Sequence, residues 1–287
     1  MDNMKLQCAD LSLDLSSPQV MGVLNTTPDS FSDGGSYYQG GGLDLGLVVE
    51  RAHKMVEEGA TIIDVGGEST RPGAEPVSLD EELRRVVPVV EAIRKSLEVV
   101  ISVDTSSPPV IKAAAAVGAG VINDVRALQR DGALQAAAET QLPVCLMHMM
   151  GEPGTMQNDP RYSDVICSVR EFLAERIAAC EAAGISRSKL LVDPGFGFGK
   201  TIEHNLDMLR NLGAFAELDL PILVGLSRKS MLQHLLGRAV DERLAGSVAL
   251  ALLAAQHGAS IIRAHDVAAT RDVLTVLRAV EENTANC

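Results

Sequence analysis

The chain has 287 residues, of which 46% are hydrophobic, 22% charged and 3% aromatic. An apolar fraction of this size excludes a wholly disordered protein. The formal net charge of −13 argues against a general nucleic-acid-binding protein, because such proteins need a basic face to neutralise phosphates. The length would suit two average domains or one large α/β barrel, for which about 250 residues is typical.

In chain order, short apolar runs alternate with longer amphipathic segments, and no linker or low-complexity tract divides them. The eight predicted strands are Val20–Leu24, Thr61–Val65, Val99–Val103, Val121–Asn123, Val144–Met147, Leu190–Val192, Ile222–Leu226 and Ser260–Ala264. Predicted helices include Asp44–Glu58, Leu79–Leu97, Asp164–Ala183, Leu244–His257 and Ala268–Glu282. Strands that alternate with helices of this length imply right-handed βαβ units and a parallel sheet.

One short pattern occurs three times at the junction between a predicted helix and the next strand. Its copies are Gly59-Ala60-Thr61-Ile62-Ile63, Gly118-Ala119-Gly120-Val121-Ile122 and Gly258-Ala259-Ser260-Ile261-Ile262. A glycine just past a helix end can adopt the left-handed conformation that ends the helix. The repeated units predict an α/β fold, a single (β/α)8 TIM barrel rather than an open doubly wound sheet. The barrel domain is predicted to span residues 1–287, with a core over about 18–283.

The cysteine content and the apolar stretches bear on the cellular location. Five cysteines are present, an odd number, and no two form a Cys-x-x-Cys pair. We therefore expect neither a disulfide framework nor a structural zinc site, which fits a reducing compartment. No secretory signal is visible at the start, and the most apolar stretch, Val248 to Ala255, is too short to span a membrane. These features predict a cytoplasmic protein without a membrane partner.

The active site of a TIM barrel lies at the carboxyl ends of its strands. A single Asp at a strand end is often only a helix cap, but here all eight predicted ends carry polar or ionisable residues, which indicates an active site. These residues are Asn25, Asp64 with Glu68, Asp104, Asn123 with Asp124, His148, Asp193, Ser227-Arg228-Lys229, and Arg263 with His265.

Two of these loops carry a specific resemblance. Asn25-Thr26-Thr27-Pro28-Asp29-Ser30-Phe31-Ser32-Asp33-Gly34-Gly35 and Asp64-Val65-Gly66-Gly67-Glu68-Ser69-Thr70-Arg71-Pro72-Gly73 resemble the signature loops of the bacterial dihydropteroate synthase family, a family of pterin-binding TIM barrels. Further segments continue the match in order over about residues 20–280, among them Ser102-Val103-Asp104-Thr105, Ile122-Asn123-Asp124-Val125, Asp193-Pro194-Gly195-Phe196-Gly197-Phe198-Gly199-Lys200, Ser227-Arg228-Lys229-Ser230 and Arg263-Ala264-His265-Asp266. The departures are minor: Thr26 and Ala264 stand where relatives often carry Val.

The resemblance implies an enzyme that condenses 6-hydroxymethyl-7,8-dihydropterin diphosphate with p-aminobenzoate. The products are 7,8-dihydropteroate and diphosphate, a step of folate biosynthesis. It also implies Mg²⁺, a homodimer, and inhibition by sulfonamides, which mimic p-aminobenzoate. We expect an SN1-like reaction in which C–O cleavage precedes attack and leaves a pterin-stabilised cation. Because the attacking arylamine is neutral at pH 7, no strong general base is needed.

The family's roles carry over to the matching positions of this chain. The implied pterin pocket consists of Asp104, Asn123, Asp193 and Lys229, and the implied diphosphate site consists of Asn25, Arg263 and His265. The second loop is implied to contribute contacts from Thr70 and Arg71. The implied p-aminobenzoate site consists of Phe31, Pro72, Phe198 and Ser230. Within this set, Asn25 is the implied metal ligand, and the predicted catalytic residues are Asn25, Arg71, Lys229, Arg263 and His265.

Elementary chemistry agrees with these roles. A flat heterocycle that presents adjacent N–H donors suits a bidentate carboxylate such as Asp193. Charge that develops on a departing diphosphate suits Mg²⁺ and the side chains of Arg263 and His265, which are two apart and so project the same way along a strand. The loops Thr26–Gly42 and Gly66–Ser78 are expected to become ordered when Mg²⁺ and diphosphate bind.

Three alternative functions remain open at this point. A pterin-dependent methyltransferase could share the barrel and the pterin-binding carboxylates, but it would not need the Asn25 loop or an anion clasp at Arg263 and His265. A Schiff-base aldolase would use Lys229, although Arg228 and Ser230 beside it suit anion binding. A non-catalytic pterin-binding protein would bind the pterin without releasing diphosphate.

Overall fold

The computed structural model describes residues 5–27, 38–39, 42–69, 77–152, 154–157 and 159–284. Its strands are β1 (Lys5–Cys8), β2 (Leu11–Asp14), β3 (Gln19–Asn25), β4 (Tyr38–Gln39), β5 (Gly42–Leu43), β6 (Ile62–Gly66), β7 (Val100–Asp104), β8 (Val121–Asp124), β9 (Val144–Met147), β10 (Leu190–Asp193), β11 (Leu223–Gly225) and β12 (Ile261–Ala264). Its α-helices are α1 (Leu45–Glu57), α2 (Leu79–Ser96), α3 (Pro108–Ala116), α4 (Ala133–Thr140), α5 (Val165–Ala182), α6 (Ile202–Arg210), α7 (Ser230–Leu236), α8 (Leu244–Gln256) and α9 (Val267–Thr284).

Eight of the strands form one parallel sheet in the order β10-β9-β8-β7-β6-β3-β12-β11. A parallel bridge pairs Val192 of β10 with Ile222, the residue before β11, and the Val192 amide donates to the Pro221 carbonyl at 3.0 Å. The two edges of the sheet therefore meet, and the predicted barrel is confirmed. All eight predicted strands are present, each with its ends within one residue of the predicted ones.

The three repeated Gly-Ala junctions have the conformation that the pattern predicted. Gly59, Gly118 and Gly258 have φ angles of +101°, +110° and +99°, which the absence of a β-carbon makes accessible. They follow α1, α3 and α8 and precede β6, β8 and β12. Each therefore ends a helix and directs the chain into the next barrel strand.

The amino-terminal half of the barrel interior is apolar. Every barrel strand contributes one buried side chain to it: Met21, Ile62, Val100, Val121, Cys145, Leu191, Leu223 and Ile261. The antiparallel hairpin of β1 and β2 packs Leu6, Cys8 and Leu13 against this layer. The sequence analysis did not predict this hairpin, because its strands have only four residues each and precede the first apolar run.

Polar side chains lie directly above this apolar floor. Because side chains alternate along a strand, the residues two positions beyond the floor also face the barrel interior. On five strands these residues are polar, namely Asp64, Ser102, Asn123, Asp193 and Arg263. The fold thus places charged and amide groups in a cup that has an apolar base and opens toward the carboxyl ends of the strands.

None of the helices in the described part of the chain combines the length and the apolar character that a membrane crossing requires.

Candidate active site

Nine of the predicted site residues lie in the described part of the chain, and all nine lie on the carboxyl ends of barrel strands, in the loops that follow them or, for Ser230, at the first residue of α7. They are Asn25, Asp104, Asn123, Asp193, Phe198, Lys229, Ser230, Arg263 and His265. The other four, Phe31, Thr70, Arg71 and Pro72, lie outside the described residues, together with most of the two signature loops. The prediction that these loops become ordered on anion binding falls outside them as well.

Arg263 lies at the centre of the site and bridges two carboxylates. Its Nε donates to Asp64 Oδ2 at 2.6 Å, and its Nη2 donates to Asp104 Oδ2 at 3.0 Å. The Asp64 side chain is wholly buried, a position that a charged group occupies only when it is paired. The guanidinium is therefore held by acceptors on β6 and β7.

Burial makes the ionisation of Asp104 unfavourable. Desolvation, followed by repulsion from Asp64, raises the pKa of Asp104 to about 7, although the charge of Arg263 opposes the shift. A carboxyl group with this pKa is only partly ionised near neutral pH. It therefore balances the cationic charge of the site less than an exposed aspartate would.

Asp193 ends β10 and is only 6% exposed. Its Oδ1 accepts from the Gly195 amide at 2.7 Å, so this one oxygen holds the following loop, whereas the next helix, α6, is capped by Thr201 and not by Asp193. Burial raises the pKa of Asp193, and the nearby Lys229 lowers it. No hydrogen bond from a described residue reaches Oδ2, which leaves that oxygen for a donor on a ligand.

Lys229 reaches back from the loop before α7 into the same site. Its Nζ donates to the Phe196 carbonyl and lies 4.6 Å from the centroid of the Phe198 ring. Desolvation lowers the pKa of Lys229 to about 8, against the opposing charge of Asp193. Arg228, which we expected to suit anion binding, instead pairs with Asp266 through Nε and Nη2 at 2.9 and 2.5 Å.

His265 lies one residue beyond the end of β12, so the alternation of side chains along a strand does not by itself align it with Arg263. Its backbone amide and its Nδ1 both lie within hydrogen-bond distance of Ser227 Oγ, at 3.2 and 3.0 Å. These contacts hold the imidazole against the end of β11, on the same rim as Lys229.

Lys200 and His148 form a buried polar contact beneath the loop that follows β10; the sequence analysis placed His148 at a strand end but gave neither residue a specific task. Lys200 Nζ lies 2.8 Å from His148 Nδ1 and donates to the Gly195 and Phe198 carbonyls at 2.9 and 3.1 Å. Burial and the charge of Lys200 lower the pKa of His148 to about 3, so the imidazole is neutral and can accept. The sequence signals were the place of His148 at the end of a predicted strand and the place of Lys200 at the end of the Gly195-Phe196-Gly197-Phe198-Gly199-Lys200 segment.

Replacing Lys200 by Met is expected to lower the free energy of unfolding by about 2–4 kcal/mol, because it leaves the Phe198 carbonyl and the His148 Nδ1 atom without a donor and leaves the Gly195 carbonyl with only the Phe198 amide. Urea unfolding of the wild type and the variant measures this loss. The exposed Lys112, which pairs with Glu139 on the surface, is the control, and K112M should change stability by less than about 1 kcal/mol. Equal losses in the two variants would show that Lys200 does not stabilise the loop.

The donor chemistry around Asn25 fits Mg²⁺. A β-carbon built on Gly66 would lie 3.5 Å from Asn25 Oδ1 and 3.8 Å from Asp104 Oδ2, so an amide oxygen and a carboxylate oxygen border the same glycine. No cluster of three or more His, Cys, Asp or Glu side chains suited to a metal occurs in the described ranges. Mg²⁺ commonly takes one or two protein oxygens and completes its shell with water and substrate phosphates, which this arrangement allows.

Together, the apolar floor, the buried carboxylates and the converging cations define a TIM-barrel enzyme site for a flat, hydrogen-bonding ligand that carries an anionic group. The family model described as pterin binding enzyme matches residues 21–265. Dihydropteroate synthase of Escherichia coli (strain K12) is 57% identical over 276 residues, which cover 96% of each chain.

Two solved structures show the same likeness in three dimensions. The Yersinia pestis dihydropteroate synthase in a sulfonamide drug complex superimposes with a TM-score of 0.93 at 51% identity, over 97% of this chain and 99% of that one. The Xanthomonas albilineans dihydropteroate synthase in complex with 7,8-dihydropteroate gives a TM-score of 0.86 at 47% identity, over 96% of this chain and 98% of that one. The chain belongs to the pterin-binding enzyme family and, within it, to the dihydropteroate synthases, which are transferases of folate biosynthesis. The resemblance stated from the sequence is thereby confirmed.

Proposed function

We propose that the chain, as a single barrel domain, condenses 6-hydroxymethyl-7,8-dihydropterin diphosphate with p-aminobenzoate to form 7,8-dihydropteroate and diphosphate. The observation that carries the proposal is the polar layer inside the barrel. There, Asp193, Asn123 and Asp104 lie above the apolar floor at the carboxyl ends of their strands and offer hydrogen-bond acceptors. Such a cup matches a flat heterocycle whose edge carries several N–H groups.

In this proposal Asp193 accepts hydrogen bonds from the amino-pyrimidine edge of the pterin through the oxygen that the Gly195 amide does not use. Asn123 and Asp104 complete the pocket. Lys229 reaches the pocket from the loop before α7 and contacts Phe196 and Phe198. Because Asp193, Asn123 and Asp104 are fixed by strands rather than by long loops, the reactive methylene carbon is held in one position.

Two arginines and a histidine act on the leaving group. The C–O bond between the methylene carbon and the diphosphate breaks first, and Arg263 and His265, with Arg71 from the second loop, stabilise the charge that develops on the departing oxygens. The arylamine nitrogen then attacks the methylene carbon, forms the C–N bond and loses one proton. No side chain has to act as a strong base, because the amine is already neutral.

Mg²⁺ is proposed as the metal, and Asn25 as its ligand. When bound, the ion would offset the negative charge of the diphosphate during its departure. The protein's contribution is the amide oxygen of Asn25 at the end of β3, beside the carboxylate of Asp104.

The p-aminobenzoate site is proposed beside Lys229, where Phe198 and Ser230 lie within the described residues and where Phe31 and Pro72 are expected to join them; Thr70 is proposed as a substrate contact from the second loop. A cavity of about 280 Å³ borders this region and is lined in part by Gly197, Lys229 and Ser230. This volume is close to the lower end of the range for small-molecule pockets. Sulfonamides, which mimic p-aminobenzoate, are expected to compete for the same place.

A homodimer and a cytoplasmic location complete the proposal. The last three helices, α7 to α9, carry six large apolar side chains that are at least 41% exposed: Leu235, Leu236, Leu244, Leu253, Val276 and Val280. This exposed apolar surface favours contact with a second copy of the chain. The four cysteines of the described ranges are free thiols, which suits a reducing compartment. Analytical ultracentrifugation would test the dimer.

The experiment that tests the function is release of diphosphate from the pterin diphosphate, measured with and without p-aminobenzoate. We expect release that depends on both p-aminobenzoate and Mg²⁺, that EDTA abolishes, and that a sulfonamide inhibits competitively. Binding of the pterin without any release would instead indicate a non-catalytic pterin-binding protein. Release that is unaffected by p-aminobenzoate would contradict the proposed acceptor.

A further inference from the structure

Asp64 contacts two residues of the proposed site but is itself shielded from the cavity. It lies on β6, two residues above the floor residue Ile62, and its side chain is wholly buried. Its Oδ2 accepts from Arg263 Nε at 2.6 Å, and Asn123 Nδ2 lies 3.3 Å from Oδ2 and 3.4 Å from Oδ1. The Asp64 carboxylate therefore contacts both Arg263, which is proposed to bind the diphosphate, and Asn123, which is proposed to bind the pterin.

The carboxylate of Asp64 decides which end of the Asn123 amide faces the ligand. An ionised carboxylate can only accept hydrogen bonds, so Asn123 must turn its NH₂ group toward Asp64. Its Oδ1 is then directed elsewhere, and no described residue donates a hydrogen bond to it. Asn123 consequently offers an acceptor to the cavity, which suits an N–H group of the ligand.

Asp64 also fixes the plane of the Arg263 guanidinium. Nε is bound by Asp64 and Nη2 by Asp104, whereas Nη1 makes no hydrogen bond within the described part of the chain. A guanidinium presents its donors in a rigid planar fork. With two of its nitrogens held by aspartates, Nη1 is the group left for an anion.

We propose that Asp64 is a positioning residue that sets the donor and acceptor polarity of the pocket: through Asn123 it presents an acceptor to the pterin, and through Arg263 it presents a donor to the diphosphate. This inference rests on the proposed function. It assigns Asp64 a task that is separate from contact with the substrate.

The first test is D64N, measured by calorimetry with 6-hydroxymethylpterin and, separately, with its diphosphate. The new Asn side chain at position 64 has only one acceptor oxygen. If this oxygen accepts from Arg263, the NH₂ group at position 64 faces Asn123. The Asn123 amide must then turn its own oxygen toward position 64 and its NH₂ group toward the ligand. We expect the dissociation constant for the pterin without diphosphate to rise about 10- to 100-fold, the range seen when partners that orient metal ligands are removed. An unchanged constant would overturn the inference.

Asp124 provides the matched control. Like Asp64 it is a wholly buried aspartate of a barrel strand, but its carboxylate accepts from Ser106 Oγ and from the amides of Arg126 and Leu128. D124N should therefore lower stability without changing the affinity for the pterin. If D124N weakens pterin binding as much as D64N does, the effect of D64N is general destabilisation and the inference fails.

The exchange variant D64N/N123D distinguishes a changed donor and acceptor pattern in the pocket from a general loss of stability. The new amide can donate to the new carboxylate, whose second oxygen again faces the ligand as an acceptor. In N123D alone, two carboxylates would lie about 3.3 Å apart and repel one another. We expect the exchange variant to bind the pterin more tightly than either single variant and to recover most of the lost affinity. Binding no tighter than that of D64N would overturn the inference.

The same measurements distinguish this inference from the proposed function. If the wild-type protein binds the pterin and releases diphosphate but D64N binds the pterin equally well, the inference alone fails. If the wild-type protein does not bind the pterin, the proposed function fails and the inference fails with it.

Discussion

Replacing Asp193 by Asn is expected to weaken pterin binding by about 2–5 kcal/mol, the cost of breaking a buried, charged hydrogen-bonded pair. The amide replaces one acceptor oxygen with a donor. Because Oδ1 of Asp193 is already used by the Gly195 amide at 2.7 Å, the remaining acceptor would cap the loop and the new NH₂ group would face the N–H groups of the ligand. Titration of 6-hydroxymethylpterin by calorimetry measures the loss.

The fold should survive this change, because the new side chain has the same shape and can still accept from Gly195. Asp164 is the control, since it caps α5 at an exposed position by accepting from the Cys167 amide. D164N should change stability slightly and leave the pterin affinity unaltered. A folded D193N protein with wild-type affinity would remove Asp193 from the pterin pocket.

Replacing Gly195 by Ala is expected to lower the free energy of unfolding by about 3–5 kcal/mol, at the high end for a single substitution. A β-carbon at this position would lie 1.8 Å from the His148 carbonyl oxygen, and the φ angle of +72° is one that residues with a side chain rarely adopt. The loop would have to move away from β9. Since Lys200 and Lys229 both donate to carbonyls of this loop, the pterin affinity should fall as well.

Gly184 offers a control that distinguishes the cost of a left-handed backbone conformation from the cost of a steric clash of the β-carbon. Its φ angle is +89°, but a β-carbon there would meet no atom within 4 Å. G184A should therefore cost only about 1–2 kcal/mol, the price of a left-handed conformation. Urea unfolding of both variants would measure the difference, and equal losses would show that contact with His148 is not what requires glycine at position 195.

Local patterns were sufficient to predict the barrel and its rim. Apolar runs such as Val144–Met147 are short and bounded by turn residues, so their positions follow from burial alone, and the structure has this strand at the predicted bounds. The glycines that end α1, α3 and α8 were recognisable because a left-handed helix end favours a residue without a β-carbon. The polar residues after each strand could be predicted to lie near one another, since all parallel strands of the barrel end at the same rim.

Only the tertiary structure decided which of these polar groups pair. Asp64 contacts Asn123 and Arg263 across separations of 59 and 199 residues, and spacing along one strand carries no information about partners on another. The same holds for Lys200, which contacts His148, and for Arg228, which pairs with Asp266. The sequence by itself determined the strands, the helix ends and the rim, because these depend on local periodicity and backbone freedom. The hydrogen-bond polarity of the pocket depends on barrel closure, which sets the distances between side chains that are remote in the chain.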